Sequence, residues 1–220
     1  MYASLSWPCG NMVKRCMIIR LLTITGFITK MIISNYKKFI GVCVAKTGST
    51  TLRRIFGHPP PDPPPEIYHM HLKDILLNHS YAKDYYKFGF VRDPYHRLHS
   101  IYCDFKFSQG HFWAHAIKNR KSFEDFILNI EGSIYADYIH MRPQVEYLET
   151  NGAIELDFLG RYENYESDCR KLLSILDVQV EEIPKLRNSP KKEPCFYTDE
   201  MKEVMQRVYS RDFEVFGYDK

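Results

Sequence analysis

A turn of small and hydroxyl-bearing residues at 45–51, AKTGSTT, has the composition of an anion-binding loop. It follows the apolar run FIGVCV, which predicts a buried strand, and precedes a segment with helical spacing. Because the first N–H groups of a helix lack intrahelical partners and lie at the positive end of its dipole, this turn suits a phosphate or sulfate group. The residues that we expect to contact such a group are Lys46, Thr47, Gly48, Ser49, Thr50 and Thr51.

The order of residues in this turn differs from that in the nucleotide-binding loop of ATPases and GTPases. That loop places its lysine directly after the last glycine and requires an earlier glycine at a fixed spacing. Here Lys46 precedes Gly48. The sequence also shows no clear acid after an apolar strand that would match a Walker-B residue. A small-molecule kinase of the P-loop type is therefore an alternative that the residue order disfavours.

A second pair of anion-binding side chains follows the next predicted strand. YYKFGFVRD at 85–93 is apolar and ends in a charged turn, so it predicts a strand followed by a helix that begins at Pro94 and is capped by Asp93. Arg92 ends the strand, and Ser100 lies on the helix. Arginine offers phosphate a permanently charged planar fork, and serine adds a rotatable donor. Either residue alone more often solvates a turn, but two such motifs in succession at strand-to-helix junctions favour binding.

Both motifs resemble those of a known enzyme family. VAKTGSTTLRRIF is similar to the 5′-phosphosulfate loop of the sulfotransferases that use 3′-phosphoadenosine-5′-phosphosulfate (PAPS), in the family-2 branch that includes many carbohydrate sulfotransferases and bacterial relatives. FGFVRDPYHRLHSIY at 88–102 resembles the family's 3′-phosphate motif, in which Arg92 and Ser100 occupy the two phosphate-binding positions. The family's loop usually reads PKTGST, so Ala45 departs from a proline that shapes the turn and takes no part in the chemistry.

Further segments resemble the same family, and together they cover nearly everything after Met31. They are HMRPQVEYL at 140–148, DFLGRYENYESDCRKLL at 157–173 and FYTDEMKEVMQRVYSRDFEVFGYD at 196–219. The resemblance implies that the chain moves the sulfuryl group of PAPS to a hydroxyl acceptor on a carbohydrate or glycan, and that it releases 3′-phosphoadenosine-5′-phosphate (PAP). It implies no metal. A non-catalytic module that binds PAPS or PAP is a second alternative.

The transfer reaction requires a cation at the leaving group and a base at the acceptor. Lys46 is expected to stabilise the bridging oxygen and the departing 5′-phosphate, because its ammonium is compact and has three donors. The base should be neutral near physiological pH, which favours histidine. His69 and His71 lie between the phosphate motifs, where relatives carry a catalytic histidine, and in a strand they would face the same side. The sequence does not choose between them, and Asp74 and Glu66 are acidic alternatives.

Other polar positions have less specific signals. By resemblance His140 and Gln144 line the acceptor cleft, although a structural role fits them equally well. The basic segment KLRNSPKK at 185–192 either closes over the donor, meets an acidic sugar or is a solvated loop. Arg161 is a weaker candidate for the donor site.

The order of predicted elements indicates an α/β fold. Strands alternate with helices, which predicts a three-layer, P-loop-type fold with a central parallel sheet flanked by helices. The segment 67–78 is expected to pass from a short strand into a helix, and 154–164 to form another strand. Ser122 should cap a helix over 122–130, and Thr198 should open one long terminal helix.

The bulk composition sets limits on the class of protein. A chain of 220 residues, 45% hydrophobic and 26% charged, is expected to fold as one globular domain over 31–220. The net charge of +3 is too small for a general nucleic-acid binder, and the six cysteines lack zinc-ligand spacing. Residues 1–30 form a leader or a weak signal anchor, because the apolar stretch is interrupted before the roughly 20 residues of a membrane span. An anchor would imply membrane attachment in the Golgi, and a plain leader a cytoplasmic protein.

Overall fold

The computed structural model describes residues 31–58, 65–107, 117, 120, 122–184 and 194–220. All of them belong to one compact unit, Met31–Lys220. The predicted leader at 1–30 and the basic segment at 185–192 lie outside the described residues. Among the helices of the described ranges, none combines the length and the apolar character needed to cross a membrane.

A four-stranded mixed sheet forms the centre of the described structure. Its strands are β1 (Ile32–Ser34), β2 (Phe39–Val42), β3 (Tyr86–Val91) and β6 (Phe158–Arg161), in the order β1-β2-β3-β6. β2, β3 and β6 are parallel, whereas β1 is antiparallel to β2. A separate antiparallel pair consists of β4 (Glu149–Thr150) and β5 (Ala153–Ile154).

The predicted parallel sheet is therefore corrected at one edge. Only the turn at 35–38 separates β1 from β2. A turn of this length permits antiparallel pairing alone, because two parallel neighbours need a crossover of a dozen or more residues. The three parallel strands are joined by such crossovers, and these contain helices, as predicted.

Nine α-helices are described. They are α1 (Ser49–Ile55), α2 (Pro65–Tyr68), α3 (Leu72–Asn78), α4 (Pro94–Phe107), α5 (Phe123–Leu128), α6 (Gln144–Leu148), α7 (Tyr165–Ile175), α8 (Asp199–Val208) and α9 (Ser210–Phe216). Short 3₁₀ turns occur at Ser80–Ala82, Ile139–Met141 and Tyr162–Asn164.

Apolar side chains cover both faces of the sheet, since successive residues of a strand point to opposite sides. The buried residues on the face packed against α3 and α6 include Ile40, Val42, Val91, Leu72 and Leu148. The buried residues on the face packed against α1 and α7 include Phe39, Phe88, Phe90, Leu52 and Leu172. This arrangement confirms the α/β architecture with helices on both sides of the sheet.

A further cluster joins α4 to the carboxyl-terminal helices. Its buried residues include Leu98 and Tyr102 of α4, Phe126 of α5, Met205 of α8 and Phe213 of α9. Aromatic pairs contribute to this packing: the ring centroids of Tyr102 and Phe126 lie 5.2 Å apart. The helix that carries Ser100 is thus fixed by packing against segments far away in the sequence.

The predicted helix caps are present. Asp93 Oδ1 accepts a hydrogen bond from the N–H of His96, and Ser122 accepts one from Asp125. Thr198 accepts one from the N–H of Met201, the residue at the third helical position.

Three predicted elements differ from the structure. Residues 65–68 form the helical turn α2, where a strand was expected; Pro65 occupies its first position, to which a fixed φ is suited. The predicted strand at 154–164 is divided into β5 and β6, and the terminal helix is divided at Tyr209. The buried hydroxyl of Tyr209 donates to Met141 O, so this tertiary contact coincides with the break between α8 and α9.

Two glycines of the sheet lie directly opposite phenylalanines on neighbouring strands. Gly41 pairs with Phe88, and Phe90 pairs with Gly160. A Cβ atom on Gly160 would lie 2.3 Å from the ring of Phe90, and one on Gly41 would lie 2.5 Å from the ring of Phe88. The rings therefore occupy the space that side chains at these two glycines would need.

Gly160→Ala is expected to lower the free energy of unfolding by about 1–3 kcal/mol, because the buried Phe90 ring cannot move away freely. Urea unfolding followed by circular dichroism measures the loss. Phe90→Leu removes the ring that the new methyl group would contact. The double variant should therefore lose less stability than the sum of the losses in the two single variants. An unfolding midpoint for Gly160→Ala equal to that of the wild type would contradict this account of the packing.

Candidate active site

The loop between β2 and α1 is built on two residues with left-handed backbone. Lys46 has φ 66° and Gly48 has φ 87°. The hydroxyl of the buried Thr47 donates to Val44 O at 3.0 Å and so ties the loop to the chain that enters it. Lys46 and Thr50 are half-buried, and the loop leads directly into the first turn of α1. This is the strand, loop and helix start that the sequence predicts for an anion site.

Tyr165, at the start of α7, packs against Gly48. Its hydroxyl donates to Gly48 O at 2.9 Å, and a Cβ atom on Gly48 would lie 2.3 Å from its ring. Burial raises the pKa of Tyr165, so the hydroxyl remains a donor at all ordinary pH values. Glycine is therefore required at position 48 both for its backbone conformation and for the space that Tyr165 occupies.

Two of the predicted loop hydroxyls already bind main-chain carbonyls. Besides the contact of Thr47, the hydroxyl of Thr51 donates to Pro184 O at 3.1 Å. Both residues and Ser49 are buried. At an anion these three residues would therefore act mainly through their main-chain N–H groups, in the loop and in the first turn of α1.

Arg92 lies next to this loop. β2 and β3 are parallel neighbours, so the turns that follow them lie at the same edge of the sheet. Arg92 Nη1 donates to Lys46 O at 3.4 Å, and its guanidinium carbon lies 4.3 Å from the centre of the Tyr162 ring. The two predicted anion motifs are thus in contact in the folded chain.

Gln144 holds the main chain of Arg92. Its side-chain oxygen accepts from Arg92 N at 2.9 Å, and its side-chain nitrogen donates to Arg92 O at 2.8 Å. The N–H groups of Gln144 and Val145 in turn donate to the carboxylate of Asp212 on α9. Gln144 is fully buried, so the expectation that it lines an acceptor cleft is wrong; its amide is committed to the peptide groups of Arg92.

Arg97, a buried arginine of α4, also holds the Lys46 loop in place. Arg97 Nε donates to Ala45 O at 3.0 Å, and its Nη2 donates to His140 O and Arg142 O at 2.8 and 2.9 Å. One guanidinium thereby joins the loop to the 3₁₀ turn at Ile139–Met141. Sequence patterns had no signal for this role, because an arginine within a helix usually faces solvent.

The helix α4 carries both Ser100 and an ion-pair partner of Lys46. Ser100 is half-buried, and Asp104 follows one helical turn later on the same side of the helix. Lys46 Nζ lies 3.1 Å from Asp104 Oδ2. Sequence reasoning missed Asp104, because nothing near it in the chain indicates that its carboxylate meets the loop.

His69 lies beside the loop and is buried. Its Nδ1 is 2.5 Å from Cys43 O; since a carbonyl only accepts, Nδ1 carries the hydrogen and Nε2 keeps the lone pair of the neutral ring. Burial, together with Arg97, Arg53 and Lys46, lowers the pKa of His69 to about 3, against the hydrogen bond to Cys43. The ring is therefore neutral at physiological pH.

His71 lies in a different environment from His69. It precedes α3, and the centre of its ring is 5.0 Å from that of Tyr147. Burial lowers its pKa, and the charged groups that act on it are led by Asp74 and Lys73, not by Lys46, Arg53 and Arg97. The chain forms a turn between α2 and α3, so the strand that would have placed His69 and His71 on the same side is not present.

The remaining candidates from the sequence are four: His140, Asp74, Glu66 and Arg161. His140 is buried, and its ring centre is 4.9 Å from that of His69. Asp74 is in the first turn of α3, on the His71 side, and Glu66 belongs to α2. Arg161 Nη2 donates to Phe216 O, and its guanidinium lies over the Tyr218 ring, so it contacts the carboxyl-terminal segment.

Comparison with protein-family models matches residues 66–219 to the Sulfotransferase family. The chain belongs to the sulfotransferase family. The matched part of this sulfotransferase contains Arg92, Ser100 and both candidate histidines, whereas the Lys46 loop precedes it. Comparisons with curated proteins and with solved structures return no match.

Membership of the family supports sulfuryl transfer as the general activity of this chain. The loop at 45–51 was assigned on its residues, and its contact with Arg92 joins it to the matched region. Within the described ranges of this sulfotransferase, no group of three or more His, Cys, Asp or Glu side chains is placed to hold a metal ion.

Gly48→Ala tests the requirement for glycine in the loop, with Gly57→Ala as the matched control. Both glycines have positive φ, at 87° and 85°, but a Cβ atom on Gly57 would meet nothing within 4 Å. Gly57→Ala should cost about 1 kcal/mol of stability, the usual penalty for alanine in this conformation. Gly48→Ala should cost a further 1–3 kcal/mol, roughly, and should lower the rate of sulfuryl transfer.

Chemical unfolding measures the loss of stability. An assay of sulfuryl transfer with the donor that the sequence predicts, PAPS, measures the loss of activity. Equal losses of stability in the two variants, with full transfer activity in both, would show that Tyr165 does not restrict position 48.

Proposed function

We propose that this chain transfers the sulfuryl group of PAPS to a hydroxyl group of a carbohydrate or glycan and releases PAP. The observation that carries the proposal is the contact between Arg92 and the main chain of Lys46. It brings together two anion-binding elements from separate strand-to-helix junctions, as a donor with phosphate groups at both ends requires. Membership of the sulfotransferase family supports the same reading.

Each part of the site has a role in this proposal. The N–H groups of the loop and of the first turn of α1, with Lys46, bind the 5′-phosphosulfate, and Arg92 with Ser100 binds the 3′-phosphate. As the acceptor oxygen bonds to sulfur, the bond from sulfur to the 5′-phosphate oxygen breaks. Lys46 stabilises the negative charge that develops on the departing oxygen. The hydroxyl proton of the acceptor goes to a base.

We assign the base role to His69. The tautomer fixed by Cys43 O leaves Nε2 with its lone pair. The charges of Arg97, Arg53 and Lys46 act on this ring, whereas those that act on His71 are led by Asp74 and Lys73. Burial and those cations keep the pKa of His69 low in the donor-free protein. A bound donor brings several negative charges to the same cations, so it raises the pKa of His69 at the point where a proton must be accepted.

Labelled PAPS offered with a panel of hydroxyl-bearing glycans and small molecules tests the proposal, with mass mapping of the sulfated position. Sulfation of a glycan hydroxyl is the expected result. Binding of PAP without transfer to any acceptor would favour a non-catalytic binding module. Stabilisation by ATP with magnesium, and none by PAP, would favour a small-molecule kinase.

Lys46→Ala is expected to lower the transfer rate by about 10²–10³-fold, because the charge on the leaving oxygen is no longer stabilised. Lys38→Ala is the matched control. Lys38 also has positive φ, at 55°, but it precedes β2 at the opposite end of the strand from the loop. Turnover by Lys46→Ala at the rate of Lys38→Ala would exclude the role given to Lys46.

His69→Asn should lower the maximal rate by about 10²–10⁴-fold, the usual contribution of a general base, while PAP binding is retained. Asparagine keeps a donor near the position of Nδ1, so the hydrogen bond to Cys43 O can be preserved. His71→Asn, two residues away, should retain most of the activity. The reverse pattern, with His71→Asn inactive and His69→Asn active, would transfer the assignment to His71.

A further inference from the structure

The ion pair between Lys46 and Asp104 is set into the wall of the proposed donor site. The two charged groups are 3.1 Å apart, and the side chains are only 17% and 12% exposed. The pair joins the loop after β2 to the last turn of α4, residues that are distant in the sequence. It is therefore a contact that exists only in the folded protein.

The position of the Asp104 carboxylate opposes the binding of an anion. It contacts the lysine proposed for the 5′-phosphosulfate and lies one helical turn from Ser100, proposed for the 3′-phosphate. While it is paired with Lys46, the carboxylate occupies the ammonium that a phosphate group would bind, and this attraction is stronger where water is largely excluded. Ion pairs of this kind also contribute little net stability, since the desolvation of both groups offsets their attraction.

The main chain of Lys46 is held while its side chain is long and rotatable. Arg92 donates to Lys46 O, and Thr47 ties the loop to Val44. The ammonium can therefore change partners by rotation about side-chain bonds, with the loop in place.

We propose that Asp104 is a positioning residue that holds Lys46 in the donor-free enzyme, yields it to the 5′-phosphosulfate of the donor, and takes it back as PAP leaves. The inference rests on the proposed function and adds a competition to it. Asp104 and the nucleotide compete for one ammonium, so Asp104 weakens the retention of the product. No bond is made or broken in this exchange, because it is a change of ion-pair partner.

Calorimetric titration with PAP tests the competition. Asp104→Asn keeps the shape of the side chain and removes its charge, so it should bind PAP about ten-fold more tightly than the wild type at low ionic strength. It should also be inhibited by correspondingly lower PAP concentrations during turnover. Asp104→Glu, which keeps the charge, should remain close to the wild type. A merely structural role for the ion pair would weaken PAP binding or leave it unchanged.

The double variant Lys46→Ala/Asp104→Asn separates competition from simple repulsion. If Asp104 acts through Lys46, then removing its charge from Lys46→Ala should change PAP binding little. The same gain in both backgrounds would overturn the proposal in favour of direct repulsion, and no gain in Asp104→Asn would also overturn it. Thermal melting checks that each variant is folded, and Asp104→Ser replaces Asp104→Asn should the latter be unstable.

The wild-type titration distinguishes this inference from the proposed function. Binding of PAP by the wild type with unchanged affinity in Asp104→Asn would overturn only the role of Asp104. Failure of the wild type to bind PAP would overturn the proposed donor, and the inference would fall with it.

Discussion

The parallel pairing of β2 with β3 is the constraint on which the site depends. The register pairs Phe39 with Tyr86 and continues to Val42 with Gly89, so both strands lead out of the sheet at the same edge. The turn after β2 carries Lys46, and the turn after β3 carries Arg92. Had the strands been antiparallel, the two turns would lie at opposite ends of the sheet. The Phe–Gly pairs between neighbouring strands match this register, because each ring fills the space that only a glycine leaves.

The edge of the sheet is held in shape by buried polar groups that come from other parts of the chain. Gln144 binds both peptide groups of Arg92, and Asp212 binds the N–H groups at the start of α6. Arg97 binds carbonyls of the loop and of the 3₁₀ turn. Such groups are costly to bury unless their hydrogen bonds are made. Each of them satisfies main-chain groups of irregular segments, and such segments cannot satisfy themselves as a helix or strand does.

The cations in and beside the loop also affect the charge state of His69. Arg97 and Arg53 are buried near the loop, and together with Lys46 they lower the pKa of His69. Burial has the larger effect on that pKa, and it acts in the same direction. This concentration of cations supports the proposal that the site binds an anionic donor. Asp104 is the carboxylate that meets these cations through Lys46.

The local sequence determined most of the elements and predicted the residues of the candidate anion site, while the tertiary structure decided which of these residues lie in contact. The spacing of small, hydroxyl and cationic residues identified the Lys46 loop, Arg92 and Ser100, and the caps at Asp93, Ser122 and Thr198, because these features depend on neighbours a few residues away. The commitment of Gln144 to Arg92 and the pairing of Lys46 with Asp104 were not readable in this way. Each depends on contacts between segments far apart in the chain, and a residue type does not specify its distant partner. The break at Tyr209 belongs to the same class, since it accompanies a buried hydroxyl bound to Met141. The antiparallel edge strand does not, because it follows from the short turn at 35–38.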